Sequence, residues 1–446
     1  MLKGYREYKK TEILWLQKMP SHWHSQRAKT MYTKMNRSVD KNDDVVTCFR
    51  DGVVTLRKNR RTTGFTESVK EIGYQGIKKG DLVIHVMDAF AGAIGVSDSN
   101  GKGTPVYTVC MAKGNYNNYY YAFVVREMAK SGFIQSLYRG IRERSSDFRY
   151  EVFGKQLLPI PSRSEQDQIV RYLDWKISMI NKYINAKKKQ IELLKEQKQA
   201  IINEAVTKGL DPNVSMKNSG IEWLGKIPAH WEVKRLKTLG IARNGIMFEP
   251  KDLNDYGTLV LRSSNIKNNQ LVFDDNIYVK MPIKDNFILK ENDLLICSRN
   301  GSRELIGKCA LIDKQTAGQT YGAFMCIFRG IDNEYIYYVF QSNILNYYLG
   351  TFTTSTINQL TNSNLYSIKI PFPNEEERKA IIIFLRGQCS IFNDLINKLD
   401  SEIKIMQEYR TRLISDVVTG KVDVQGEKVL EFQMNDQEIT EKEDDE

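Results

Sequence analysis

Arg57, Lys58, Arg60 and Arg61 crowd a short loop-like stretch, a spacing that suits phosphate contacts and the counterion release that drives them. A second group, Arg142, Arg144, Ser145 and Arg149, lies where a loop could enter a groove and an arginine fork could pair with the O6 and N7 edge of a guanine. At an offset of 212 residues Thr354 and Thr356 stand in place of Arg142 and Arg144, with Asn358 and Gln359 beside them. Arg262, Asn265, Arg299 and Asn300 complete the candidate DNA contacts. Solvated loops are the competing reading for each residue taken singly.

There is no GxxxxGK[ST] loop; Gly101-Lys102-Gly103-Thr104 has the wrong order and follows no clear strand-to-helix pattern. A GxGxxG helix opening, a Pro-Pro-Tyr motif of the sort that holds a flipped base, and a compact acidic cluster with a lysine are likewise missing. The six cysteines are scattered without a CxxC or Cys/His cluster, which indicates neither a disulfide framework nor a zinc site. His22 and His230 each stand beside a tryptophan without further ligands and read as packing residues. No catalytic residue and no metal site is assigned; jointly these absences favour a binding protein over an enzyme.

Two long charged helices must position the candidate loops. Pro159-Ile160-Pro161 leads into Ser162-Arg163-Ser164-Glu165, an N-cap serine with glutamate three residues on, a capping-box pattern. Pro371-Phe372-Pro373 leads into Asn374-Glu375-Glu376-Glu377 in the same way. One apolar seam runs through Leu173, Ile177, Ile180, Ile184, Lys187, Ile191, Leu194, Lys198, Ile201 and Ala205. The other runs through Leu385, Cys389, Phe392, Ile396, Leu399, Ile403, Met406, Arg410, Leu413 and Val417. Steps alternate four and three residues, the heptad period of a coiled coil, and each member of the second seam follows its partner by 212 positions. Leu173, Ile180, Ile184, Ile191 and Leu194, with Leu385, Phe392, Ile396, Ile403 and Met406, are the expected helix-helix packing residues. The polar interruption repeats too, as Lys198 and Arg410.

The repeat extends to the whole chain. Thr11 to Trp23 contains Trp15 and Trp23, and Ser219 to Trp231 contains Trp223 and Trp231, at an offset of 208. These segments are expected to anchor an extended chain against a helix surface. Gly80-Asp81-Leu82-Val83-Ile84-His85-Val86 predicts a turn and buried strand, and Asn292-Asp293-Leu294-Leu295-Ile296-Cys297 its twin. Ala93-Ile94-Gly95-Val96 and Leu305-Ile306-Gly307-Lys308 are matched as the next strand at offset 212. For Tyr119 to Val125 and Tyr335 to Phe340, periodicity leaves helix and strand both open.

The expected fold class is therefore α+β: two similar mixed α/β domains separated by two long antiparallel coiled-coil helices with a pseudo-two-fold internal repeat. The boundaries are 1–161, 162–209 (first helix), 210–373, 374–421 (second helix) and an acidic tail, 422–446, expected to be disordered. About 42 helical residues at 1.5 Å each would hold the two bodies about 60 Å apart, against a major-groove repeat of about 34 Å. Two diverged bodies would then read two short sequences at a fixed spacing.

Composition agrees. At 446 residues, two or three units are expected, and 41% hydrophobic residues with negative mean hydropathy describe a soluble chain. No apolar run approaches a membrane span and Met1 to Lys10 is polar, so a cytoplasmic location without a membrane partner is expected. The net charge is +11, but residues 426–446 hold nine acids and two bases, which leaves +18 on the rest (63 basic against 45 acidic). A body so basic points to a polyanion, most often nucleic acid.

These features resemble the DNA-specificity subunit of type I restriction-modification systems. The resemblance rests on both Trp-x7-Trp openings with their Pro-x-His-Trp endings, the Gly/Asn-Asp-Leu strand followed by Ile-Gly, the Pro-x-Pro-x3-Glu helix starts and the paired helices, over about residues 10–424. His24 against Glu232, Gln166 against Arg378, and the untwinned tail depart from the repeat. The resemblance implies two target recognition domains for a bipartite site in double-stranded DNA, and helices that set the spacer and hold two modification subunits. It further implies S-adenosylmethionine and adenine N6 methylation in those partners, and ATP and Mg in restriction subunits that translocate and cleave; no cofactor belongs to this chain. Two other readings stand beside it: a duplicated nucleic-acid-processing enzyme with an unrecognised active site, and a coiled-coil scaffold.

Overall fold

The computed structural model describes residues 3–40, 42–60, 72–137, 147–352 and 359–429. The chain divides into two compact units, one of residues 1–186 and 402–446, the other of residues 187–401. Each contains one body and half of each long helix.

The helices span Arg163–Lys208 and Glu375–Val418, within a few residues of the expected limits. Both stop at a glycine in the left-handed region, Gly209 (φ +79°) and Gly420 (φ +73°), where an L side chain is strained. In the first unit the two helix segments run antiparallel: Gln168 Nε2 donates to Val424 O, Arg410 donates to Asn181 Oδ1 at 2.6 Å, and Tyr183 Oη donates to Glu402 at 3.1 Å. In the second, Lys198 Nζ donates to Asn393 Oδ1 at 2.8 Å, while Gly209 lies beside Glu377, again antiparallel. Every seam position named above is buried or half-buried, Leu173, Ile184, Leu385 and Val417 almost completely.

Each body is built on a four-stranded antiparallel sheet of one topology. In the first unit the order is Tyr32–Lys34, Tyr107–Ala112, Leu82–His85, Ile94–Val96. In the second it is Gly240–Asn244, Met325–Gly330, Leu294–Cys297, Cys309–Leu311. The central strands are buried, as their continuous apolar runs require. The turn before them is fixed by a buried aspartate. Asp81 accepts from Lys78 N and pairs with Arg37; its twin Asp293 accepts from Lys290 N and pairs with Arg329 at 2.7 Å. Gly80 and Asn292 hold the positive φ this turn needs, and glycine and asparagine are the residues that tolerate it best.

The aromatic segments left open by periodicity are helices, Asn118–Lys130 and Asn333–Phe340. Asn117 caps the first by accepting from Tyr119 N and Tyr120 N. From them Tyr120 donates its hydroxyl to Val418 O at 3.2 Å, and the Tyr335 hydroxyl lies 3.0 Å from Pro371 O and 3.4 Å from Val206 O, so a buried tyrosine packs against the equivalent end of a long helix in each unit.

Two expectations are corrected. The strand twinned to Ile94–Val96 is Cys309–Leu311, not Leu305 to Lys308, because the second loop carries three extra residues. Arg303–Leu305 is a 3-10 turn, and Gly307 is the counterpart of Gly92, both with positive φ. Glu165, moreover, does not complete a capping box. Its amide donates to Ser162 Oγ, but its buried carboxylate accepts from Tyr5 Oη (2.5 Å), Trp23 Nε1 (3.0 Å) and His22 Nε2 (3.1 Å).

The tryptophan motifs lead into short strands, His24–Arg27 and Glu232–Arg235, paired with Leu157–Ile160 and Lys369–Phe372 just before the long helices. Trp23 and Trp231 are fully buried against Gly420 and Gly209. The helix starts differ. Gln166 accepts from Asn117 N at 2.9 Å, whereas Arg378 donates to Asp332 Oδ2 at 2.6 Å and lies over Phe372.

Candidate nucleic-acid interface

In the unit of residues 187–401 the candidate polar residues gather beyond one end of the four-stranded sheet. Ser298 N, Ser298 Oγ and Arg299 N all donate to Phe324 O at 3.0 Å, and Leu360 N donates to Ser298 O, with Arg299 bridged to Gln359. These bonds fasten three segments together. The Arg299 guanidinium lies over the exposed Phe324 ring, 5.4 Å from its centroid, within cation-π range. Asn300 Nδ2 donates to Ser263 Oγ at 3.1 Å, which brings in the loop of Arg262. Arg262 itself is held by Asp275, with its NH2 2.7 Å from the carboxylate.

Asn265 is fully buried. Its Oδ1 accepts from Arg262 N and its Nδ2 donates to Val272 O, so its amide staples this loop from inside instead of facing a groove. The sequence pattern missed Phe324, whose exposure depends on where the strand Met325–Gly330 begins.

In the other unit, Arg57–Asn59 forms a 3-10 turn after the strand Val54–Leu56. Lys58 is exposed and paired with Asp44 at 2.6 Å. Arg60 lies over Phe49 at 4.6 Å and is paired with Asp51 at 2.5 Å. Arg57 Nε donates to Thr47 Oγ1 at 3.5 Å. Arg50 contacts Asp88 at 3.2 Å, in the loop after the strand Leu82–His85. At Asp51 burial pushes the carboxyl up, but the Arg60 hydrogen bond, the Val53 amide and the charges of Arg60 and Arg126 outweigh it and hold the group below its usual value. Burial holds His85 down against the raising effect of Asp88. The cluster is therefore a network of paired cations, and its acids were not among the residues read as functional.

Arg149 is exposed and paired with Asp147 at 2.6 Å. Arg61, Arg142, Arg144, Ser145, Thr354, Thr356 and Asn358 lie outside the described residues. Among the described residues no group of three or more His, Cys, Asp or Glu side chains could hold a metal ion, and no helix is long and apolar enough to cross a membrane. His22 and His230 contact Glu165 and Glu377 at 3.1 and 2.7 Å, at the starts of the long helices.

Residues 228–405 match the family model described as Type I restriction modification DNA specificity domain. The chain is 25% identical over 303 residues to the type I restriction enzyme MjaVIII specificity subunit of Methanocaldococcus jannaschii, covering 66% of this chain and 68% of that protein. It is 24% identical over 471 residues to the putative type I restriction enzyme MjaX specificity subunit of the same organism, covering 95% and 99%. A chain from a structure solved to explain complex assembly and conformational transition of the type I R-M system superposes with a TM-score of 0.67 at 14% identity, over 91% of this chain and 99% of that one, a likeness of fold. Together the sequence matches support a type I restriction-modification specificity subunit.

Proposed function

We propose that the chain is the non-catalytic specificity subunit of a type I restriction-modification complex, in which each unit reads one half of a bipartite sequence in double-stranded DNA and the long helices carry two copies of a modification subunit. The observation that carries this reading is a sheet of one topology built twice with unlike polar tips. Where the first unit sets Asp88 against Arg50, the second sets Asn300 against Ser263, at the same distance beyond the central strand. A constant frame with variable tips is what two different base preferences need.

The proposed docking of two identical partners draws on twinned surfaces. Exposed apolar residues outside the seam repeat at offset 212: Met179 with Ile391, Tyr183 with Leu395, Leu193 with Ile405. Such a second apolar face on a helix marks a protein contact. An open groove lies in each unit, about 620 Å3 beside Gln199, Asn203 and Asn343 and about 750 Å3 beside Thr411, Ser415 and Ser131, and these three lining residues of each groove are 212 positions apart. Methyl transfer to adenine N6 and cleavage of unmodified DNA would belong to the partners, with their S-adenosylmethionine, ATP and Mg.

Mapping N6-methyladenine genome-wide in cells with and without the gene tests the reading. Loss of one bipartite methylated motif on deletion is expected. A methylome that does not change would overturn it, as would methyl transfer by the purified chain alone.

A further inference from the structure

We infer that Arg299 reads a guanine in the half-site of the unit formed by residues 187–401, and that Phe324 sets the plane in which it does so. The inference rests on the proposed reading of that unit as a recognition domain.

An arginine that identifies guanine must present two N–H groups in one plane to O6 and N7, with the fork neither taken by a carboxylate nor free to swing. Arg299 meets these conditions. Its guanidinium lies over the Phe324 ring at 5.4 Å, and the side chain forms no hydrogen bond or ion pair with any described residue. Both side chains are exposed. The backbone beneath is fixed, because Phe324 O accepts from Ser298 N, Ser298 Oγ and Arg299 N, and Leu360 N donates to Ser298 O. A guanidinium within cation-π range of a ring, on a loop whose backbone is tied down, has fewer rotamers to lose when DNA arrives, which lowers the entropy cost of ordering it on binding.

The neighbouring arginines lack this combination. Arg262 gives its guanidinium to Asp275 at 2.7 Å. In the first unit Arg60 also stacks, over Phe49, but Asp51 sits on its fork at 2.5 Å. Arg299 combines a cation-π contact with a fork that no carboxylate among the described residues occupies.

The test is selection from a duplex library randomised across both half-sites, by the full chain assembled with its modification subunits, for wild type, Arg299→Ala, Arg299→Lys and Phe324→Ala. The wild type is expected to select a guanine in one half-site. Arg299→Ala should relax preference at that position by roughly ten- to a hundredfold and leave the other half-site untouched. Arg299→Lys keeps the charge but not the fork and should remain relaxed there, and Phe324→Ala should relax the same position less. An unchanged motif in Arg299→Ala would overturn the inference, and so would weakening that is uniform across sequences with a salt slope reduced by about one, the signature of a phosphate contact. A wild type selecting a bipartite site without guanine in that half overturns the inference alone. A wild type with no bipartite preference overturns the recognition reading with it.

Discussion

Lys198 donates to Asn393 across the antiparallel helices of its unit, and 212 residues separate each of these from its counterpart in the other pair, Arg410 and Asn181. The cation that interrupts each seam is therefore half of a charge-assisted hydrogen bond to an amide on the facing helix. A polar pair in an apolar seam costs stability but rejects slipped registers, since a slip would leave the cation facing aliphatic side chains.

Asn393→Leu should destabilise the chain by about 1–3 kcal/mol, because the half-buried ammonium loses its acceptor, and Asn181→Leu should cost a similar amount through Arg410. The double change Lys198→Leu with Asn393→Leu should recover that loss or exceed the wild type. Denaturant midpoints measure all three; a double variant as weak as the single one would contradict the account.

Glu165 and Glu377 are twins with unequal roles. Glu165 accepts three hydrogen bonds and its side chain is 2% exposed, whereas Glu377 holds His230 at 2.7 Å and is 23% exposed, with no partner for the buried Trp231 Nε1 among the described residues. Glu165→Ala should cost about 2–4 kcal/mol and Glu377→Ala distinctly less. Equal shifts in thermal denaturation would contradict the difference in burial.

The six cysteines are free and buried, and burial pushes the thiols up, Cys48 and Cys326 to about 12. A raised value keeps the thiol protonated at neutral pH, and burial blocks access besides. A chromogenic disulfide reagent at pH 8 should label none rapidly in the native chain and all six in denaturant. Fast labelling of the native chain would count against this packing.

Asp51 is held below its ordinary value, so its contribution to stability is complete above about 3.8 and is lost as the pH falls through the lowered value. Asp51→Asn should flatten part of the acid limb of a stability-versus-pH curve without altering it near neutrality in slope. A wild-type and variant pair with parallel acid limbs would remove Asp51 from that role.

Four residues inserted within 187–198 should disturb the Lys198–Asn393 register and change the preferred spacer or weaken assembly, with both half-site sequences retained. Selected sequences from the insertion variant report this directly. A changed half-site would show that spacing and base choice are not divided between helices and bodies as proposed.

The long helices were legible because heptad spacing, a cap and a terminal glycine agree over more than 40 residues, as in Arg163–Lys208. The central strands were legible from their apolar runs. The loops were not. Three extra residues before Cys309 shifted the pairing with Ile94–Val96, since a fixed offset does not register an insertion inside a loop. The basic cluster looked free because its acids lie outside the run of cations: Asp44 pairs with Lys58, 14 residues on, and Asp51 with Arg60. Asn265 looked like a surface amide because its burial depends on a turn that returns Val272 and Asp275 over it.

The locks at the helix starts limit how the heads can be exchanged. Gln166 with Asn117 and Arg378 with Asp332 join each body to the first turn of the rod that follows it. A graft cut before that turn would set Arg378 against Asn117, a buried guanidinium without its carboxylate, or Gln166 against Asp332. The portable module therefore ends one turn inside its helix, and chimaeras joined there should keep their heads seated.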